Sequence, residues 1–472
     1  MRRRRVAALL AAVLMGVPWL SSCTDSTHVD ATGNRPTGAA STAPSNGSAA
    51  PPNTPATSDS SVDNTAGTGG SNASAAPASA TGAATTPTVT PATEPGMLSG
   101  PGVTGTSISL GLIAPNAATD MGFRDGLRLW SDAVNAEGGI CERTVTVRSV
   151  FGSPEVVYRS IGRDVLGLIT VGTPELTALI SADRIPTLTP EGTSSVIAVR
   201  TGPVVLGAPE SVLAVNTASY LLRRNVIRSG GSLGVVVDDS ADGQDALAGL
   251  RWWAPRHQVQ LREYAPGQRP DAGVPAVYAA GSADQVTELL RQTANGGPAA
   301  VTSTAAAATL AGVNTAGGPV IATSLDAFQL GALPQEQLDR LLVATVTPAA
   351  TAEHPGANAV TAAFRDAFGT ERPLGARTLE GYATGQFWGR TLTAMCTEQN
   401  LTRSAATRIL ASQSAASPDS LYGPTDSAAQ LNQGQPASRV SAVSVADPRA
   451  ASGLRALTLL ESAPDIAALR IG

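Results

Sequence analysis

The sequence predicts an α/β chain built as two doubly wound lobes. Three observations carry that reading. Short apolar runs of strand length alternate with helices that have one apolar face. The alternation runs twice, over about 100–200 and about 205–345. The stretch 98–472 is also too long for one hydrophobic core and suits two.

The elements follow in order. "SISLGLIAP" (107–115) has the apolar density of a buried strand. In the next segment Phe123, Leu127, Trp130 and Val134 fall on one helical face, and Gly138 and Gly139 end the helix. "TVTVRSV" (144–150) reads as a strand, "PEVVYRSIGRD" as a helix and "VLGLITVG" (165–172) as a short buried strand. "PELTALISAD" is a helix opened by Pro174, and "IPTLTP" is another strand. The second run reads strand "GSLGVVVDDS", helix "GQDALAGLRWW", strand "VPAVYAAG", helix "ADQVTELLRQTA" and strand "PAAVTS". Strands "GPVIATS" and "LLVATVTP" follow, then two long helices over "VTAAFRDAFGT" and "ARTLEGYATGQFWGRTLTAMC". "ASRVSAVSVAD" is a final β-like stretch. Repeated β-α-β order means parallel sheets with right-handed crossovers.

The N-terminal end has a different character. Arg2 to Arg5 precede an apolar run, Val6–Leu20, that is too short to span a membrane and of secretory-signal length. Leu20-Ser21-Ser22-Cys23 resembles a bacterial lipobox, whose cysteine is acylated and becomes the new N-terminus. The plainer alternative is an ordinary cleaved signal in which Cys23 has no role. Residues 24–97 contain no Leu, Ile, Phe, Tyr or Trp. Such a segment cannot offset its chain entropy by burial, so it reads as a disordered tether spanning roughly 50 Å.

Without the signal the chain carries 28 basic and 37 acidic side chains, and it contains no lysine. That balance argues against nucleic acid as a partner. With Cys23 set aside, Cys141 and Cys396 remain for an oxidising compartment, where a disulfide is the default and two free thiols the alternative. The three histidines, His28, His257 and His354, show no metal spacing and no nucleophile motif, and no cofactor-binding motif is present. The expectation is a binding protein without cofactor or metal, not an enzyme.

Ligands of open α/β sheets sit beyond the carboxyl ends of the strands. The loops that matter are therefore "PNAATDMG", "VGTPE" and "TPEGTSS" in lobe one, and "DDSADGQD", "AAGSAD" and "ATSLDAF" in lobe two.

Five phrases together carry a resemblance: "GVTGTSISLG", "VNAEGGICER", "IPTLTPEGTSS", "VVVDDSADGQD" and "LEGYATGQFWGRTL". Their order and spacing resemble the type I periplasmic solute-binding proteins, in particular the lipoproteins of branched-chain amino acid ABC transporters. The resemblance implies a clamshell of two Rossmann-like lobes joined by a three-strand hinge. Lobe one would take 98–200 and 346–415, and lobe two 201–345 and 416–472. Both Cys141 and Cys396 would then lie in lobe one. It also implies a small-molecule solute, ABC permease subunits as partners, membrane attachment through the lipid on Cys23, and a monomer. A cell-surface sensor or scaffold is the alternative use of the fold.

For the site, the resemblance points to Thr173, and to Thr193 with Gly192, as lobe-one contacts at helix N-termini. The plainer role for each is a helix cap or turn. The chain departs from the family where Glu191 replaces a small residue, with Glu175 nearby, and where Asp242 replaces an aromatic. An acidic cleft would suit a cationic or amine-bearing solute, with Asp242 and Asp326 as candidate ammonium partners or else solvated turn residues. Tyr382 and Trp388 read as packing residues.

Overall fold

The computed structural model describes residues 96–471 except 119, 295–312, 314–317, 325–332, 416–419 and 451. Cys23, the segment 24–95, the strand expected at 298–303 and Asp326 lie outside the described residues.

Strand β1 (Ser107–Ala114) buries Ile108, Leu110, Leu112 and Ile113 completely, as a strand covered on both faces must. It is flanked by β2 (Thr144–Phe151) and β3 (Gly167–Thr170), with β4 (Thr187–Thr189) and β5 (Val204–Val205) beyond. The sheet order is β2-β1-β3-β4-β5, and every pair is parallel. The second sheet holds β6 (Ser232–Val237), β7 (Gln260–Tyr264), β8 (Ala276–Ala280), β9 (Val320–Thr323) and β10 (Leu341–Thr345). Two antiparallel strands at one end, β11 (Ala442–Ala446) and the edge strand β12 (Leu454–Ala456), complete the order β12-β11-β10-β9-β8-β6-β7. Both parallel runs therefore share one winding, in which the first strand lies between the second and third. That reversal opens a crevice at the carboxyl ends.

Helices cover these sheets. In lobe one they are α1 (Met121–Ala136), α2 (Pro154–Ile161), α3 (Thr177–Asp183) and α4 (Ser194–Ala198). In lobe two α5 (Glu210–Arg223), α6 (Ala241–Trp253), α7 (Ala283–Ala294) and the short α8 (Gln335–Leu338) follow. The chain then returns to lobe one for α9 (Pro355–Phe368), α10 (Ala376–Thr397), α11 (Arg403–Leu410) and α12 (Ser427–Gln433). It crosses between the sheets three times: after β5, after β10 and after α12, which packs on β5. The boundaries expected at 200 and 415 precede β5 and α12, both of which belong to lobe one.

Helix α1 buries Phe123, Leu127 and Trp130 and half-buries Val134. Past its end Gly138 and Gly139 take φ of +103° and +80°, and the Gly139 N–H donates to the Val134 carbonyl at 3.0 Å. The same face packs on α10 at backbone distance. A Cβ on Gly126 would stand 2.0 Å from the Thr378 carbonyl oxygen, and one on Gly381 2.1 Å from that of Phe123. Trp388 is fully buried in this core, and Tyr382 is half-buried.

A disulfide joins Cys141, just past α1, to Cys396, in the last turn of α10, with Cα atoms 5.7 Å apart. Both ends belong to lobe one, so the bond restrains the unfolded chain without tying the lobes together. Replacing both cysteines by serine is expected to cost about 2–4 kcal/mol of stability, read as a lower urea midpoint. Ligand affinity should stay unchanged.

Candidate functional site

Between the lobes lies a cavity of about 220 Å³. Lobe one builds its wall from the loops after β3 and β4 and from the first turn of α10. Lobe two contributes the first turns of α5 and α6 and the ends of β9 and β10. Helix N-termini thus face the cavity from both sides.

Thr173 follows β3 and precedes a single 3₁₀ turn, Pro174–Leu176. Its hydroxyl and that of Thr177 are buried, line the cavity and have no partner among the described residues. Thr193 is the N-cap residue of α4, but its hydroxyl bonds the Ser195 hydroxyl at 2.7 Å instead of a backbone N–H. Gly192 lines the same wall. A Cβ there would sit 3.0 Å from Val205, so the loop lies directly on β5.

Glu191 and Glu380 both hold Arg377. The guanidinium reaches Glu191 Oε1 at 2.7 Å and Glu380 Oε2 at 3.1 Å. Glu380 is buried, and Glu191 is partly open to the cleft. Arg377 thus explains how the unexpected acid at 191 is tolerated. Glu175 is exposed and does not line the cavity.

On the lobe-two side, Asp242 lies in the first turn of α6, whose cap is Ser240, receiving the Gly243 N–H at 3.1 Å. Asp242 is therefore not the capping residue, and it lines the cavity. Beside it stands Glu210, the first residue of α5. One carboxyl oxygen of Glu210 accepts from the Ser324 hydroxyl, and the other, Oε2, is buried with no partner among the described residues. Burial pushes the Glu210 carboxyl up to about 8 against that hydrogen bond, and Asp242, Glu191 and Asp245 add to the rise. Desolvation in the cleft raises Asp242 to about 6, with Glu191, Asp245 and Asp238 adding and Arg377 opposing. Asp242 stays open to solvent on one side, so Glu210 is the more constrained of the two. On the lobe-one side, burial also raises Asp120, which faces Arg377 and Glu191.

Asp245 ties the lobes together at the edge of this site. Its Oδ2 accepts the Ser194 N–H of α4 at 3.2 Å and the Ser211 N–H of α5 at 3.0 Å. The Ser194 and Ser211 hydroxyls meet at 3.1 Å.

The structure thus brings Thr173, Gly192, Thr193 and Asp242 to one cavity. Asp326 lies outside the described residues. Sequence reasoning missed Glu210, Arg377, Glu380 and Thr177. Glu210 directly follows Pro209 at the start of a buried helix, and that Pro-Glu pair was the one local signal available. The two described histidines serve elsewhere. His257 Nε2 lies 3.1 Å from Asp465 Oδ2, and His354 Nδ1 accepts the Ala357 N–H at the start of α9. Among the described residues no group of His, Cys, Asp or Glu could hold a metal ion, and no helix is long and apolar enough to cross a membrane.

The chain is similar in structure to a fatty acid ABC transporter substrate-binding protein from Thermomonospora curvata, with a TM-score of 0.67 and 19% identity over 80% of this chain and 98% of that one. A putative branched-chain amino acid ABC transporter protein from Rhodospirillum rubrum is similar at TM-score 0.53 and 18% identity, over 75% of this chain and 100% of the other. A solute-binding protein of an ABC transporter from R. palustris, in complex with benzoate, is similar at TM-score 0.54 and 14% identity, over 76% and 98%. A search of curated protein sequences finds no match. The sequence model of the periplasmic binding protein family matches residues 157–449. That stretch runs from within α2 to beyond β11, spans both lobes and includes every cavity residue named above; the chain belongs to the periplasmic binding protein family.

Proposed function

We propose that this chain is a membrane-anchored extracytoplasmic receptor that captures a small polar solute in the interlobe cavity and delivers it to an ABC permease. The solute class is an amino acid or a related amine or amide. One observation carries the reading. The cavity is a metabolite-sized space whose wall presents buried hydroxyls, Thr173 and Thr177, with no partner among the described residues. A buried polar group left unsatisfied costs about 1–3 kcal/mol, and a ligand that bonds it recovers that cost. A scaffold with no ligand would gain by filling this space with its own side chains. Attachment through Cys23, with residues 24–97 as tether, would hold the receptor near its permease and raise its effective concentration.

The lobes move about the three crossings, and ligand favours the closed form by its differential affinity for it. The Asp245–Ser194 contact helps to hold that closed form.

The test is a thermal-shift and calorimetry panel of amino acids, amides, amines, sugars and aromatic or aliphatic acids on the purified chain. A true ligand at a hundred times its dissociation constant adds about 2.7 kcal/mol and raises Tm by a few degrees. Thr173→Val keeps the side-chain shape and removes only the unpartnered hydroxyl. It should leave stability within about 0.5 kcal/mol of wild type or above it, and weaken the ligand roughly tenfold. A folded chain that responds to no solute class would shift the assignment to a sensor or scaffold.

A further inference from the structure

The charge balance of the cavity narrows the solute further. Four carboxyl groups line it, from Glu191, Glu210, Asp242 and Glu380, and among the described lining residues Arg377 is the one cation. Arg377 is bracketed by Glu191 at 2.7 Å and Glu380 at 3.1 Å. A carboxylate ligand seeking that guanidinium would compete with two carboxylates already on it, and one of them, Glu380, is 2% exposed. Leaving a buried carboxylate unpaired is strongly unfavourable. On the lobe-two wall the N-terminal turns of α5 and α6, which would otherwise favour an anion, already carry the protein's own carboxyl groups, Glu210 and Asp242, with Asp245 behind them.

The same wall suits a cation. Among the described residues Glu210 Oε2 is buried without a partner, and so are the Thr173 and Thr177 hydroxyls opposite, which can accept N–H donors. Thr173 is 7% exposed and Thr177 9% exposed, so these are built positions and not surface hydroxyls. The groups facing Glu210 are Asp242 and Asp245 on α6, Glu191 from lobe one, Tyr278 on β8 and Ser324 after β9. None of them is basic, so among the described residues Glu210 has no counterion.

We propose that the cavity selects a small organic cation that carries no carboxylate, an amine, diamine or guanidine, seated between Glu210 and Asp242 of lobe two and the Thr173 and Thr177 hydroxyls of lobe one. This rests on the receptor reading above. Binding exchanges charge for charge. The Glu210 carboxyl gives its proton to solvent, and the cation takes the place of that proton beside the carboxylate. Its high pKa agrees with this, since the group is largely neutral at pH 7 without a counterion.

Decarboxylated pairs test it: agmatine against arginine, cadaverine against lysine, and putrescine against ornithine, by calorimetry on the purified chain. At least one amine should bind ten times or more tighter than its parent amino acid. Its affinity should rise about tenfold from pH 6.5 to pH 7.5, with close to one proton released in buffers of different ionisation enthalpy. Glu210→Gln should weaken that amine tenfold or more and flatten the pH dependence. If that variant does not fold, Asp242→Asn, at the cavity mouth, gives the second readout and should weaken the amine severalfold. An amino acid that binds as tightly as its amine, or a response confined to leucine, benzoate or another neutral or anionic solute, would overturn the cation assignment and leave the receptor reading standing. A folded chain that binds no solute of any class would overturn both. Unchanged amine affinity in folded Glu210→Gln would remove Glu210 from the site and with it this proposal.

Discussion

Gly381→Ala should destabilise the chain by about 3 kcal/mol or more, although glycine-to-alanine inside a helix ordinarily stabilises by up to about 1 kcal/mol. The reason is the crossing of α1 and α10. The new Cβ would meet the Phe123 carbonyl oxygen at 2.1 Å, and backbone cannot step aside as a side chain can. The whole of α10 would have to move away from α1, opening voids around Phe123, Leu127 and Trp388. Two further glycines on the same face of α10 grade the effect. At Gly385 the nearest atoms belong to the Trp130 ring, at 2.4 Å, and at Gly389 they belong to the same ring at 3.3 Å. Urea midpoints should therefore rank Gly381→Ala lowest, Gly385→Ala next and Gly389→Ala close to wild type. Equal effects at the three positions would mean that helix propensity, not the closeness of the crossing, sets the result.

Glu210→Gln should match wild type near pH 4 and exceed its stability by roughly 2–4 kcal/mol near pH 8.5, in the absence of ligand. The folded-state pKa of Glu210 is about 8, above its ordinary 4.5. Between those values the folded chain binds the proton and the unfolded chain does not. Stability is therefore lost as pH rises through that window and levels off above it. Glutamine keeps the shape and the Ser324 contact and does not titrate. Urea denaturation of both proteins at several pH values measures the difference. A wild type as stable as the variant near pH 8.5 would mean that the Glu210 carboxylate ionises in the folded chain without cost. Read beside the binding data, the pair of experiments separates what Glu210 costs the empty receptor from what it contributes to capture.

Much of the architecture was legible because buried parallel strands and amphipathic helices have local signatures. β1, β3, β8 and β10 are nearly continuous apolar runs, and α1 shows its Phe123, Leu127 and Trp130 stripe. Helix α5 left no such mark. Ser211 through Leu221 are all buried, so no polar face sets off an apolar one. Strand β5 is two residues long, and edge strand β7, "QLREY", is mostly exposed. Neither offers a period to read.

The site divides along the same line. Thr173, Gly192, Thr193 and Asp242 follow strands, and strand order alone sends the loops after parallel strands to a common edge. The sequence by itself therefore determined the fold class, the loops that face the cleft and the acidic character of several of them. The partners were decided by the tertiary structure. Arg377 and Glu380 sit on a helix far along the chain from Glu191, and the α1–α10 crossing delivers them to it. Glu210 meets Asp242 because α5 and α6 begin side by side. Periodicity encodes which face of an element is buried, through contacts each element repeats along its own length. Ion pairing and desolvation depend on which faces of distant elements meet, and only the folded chain brings those together.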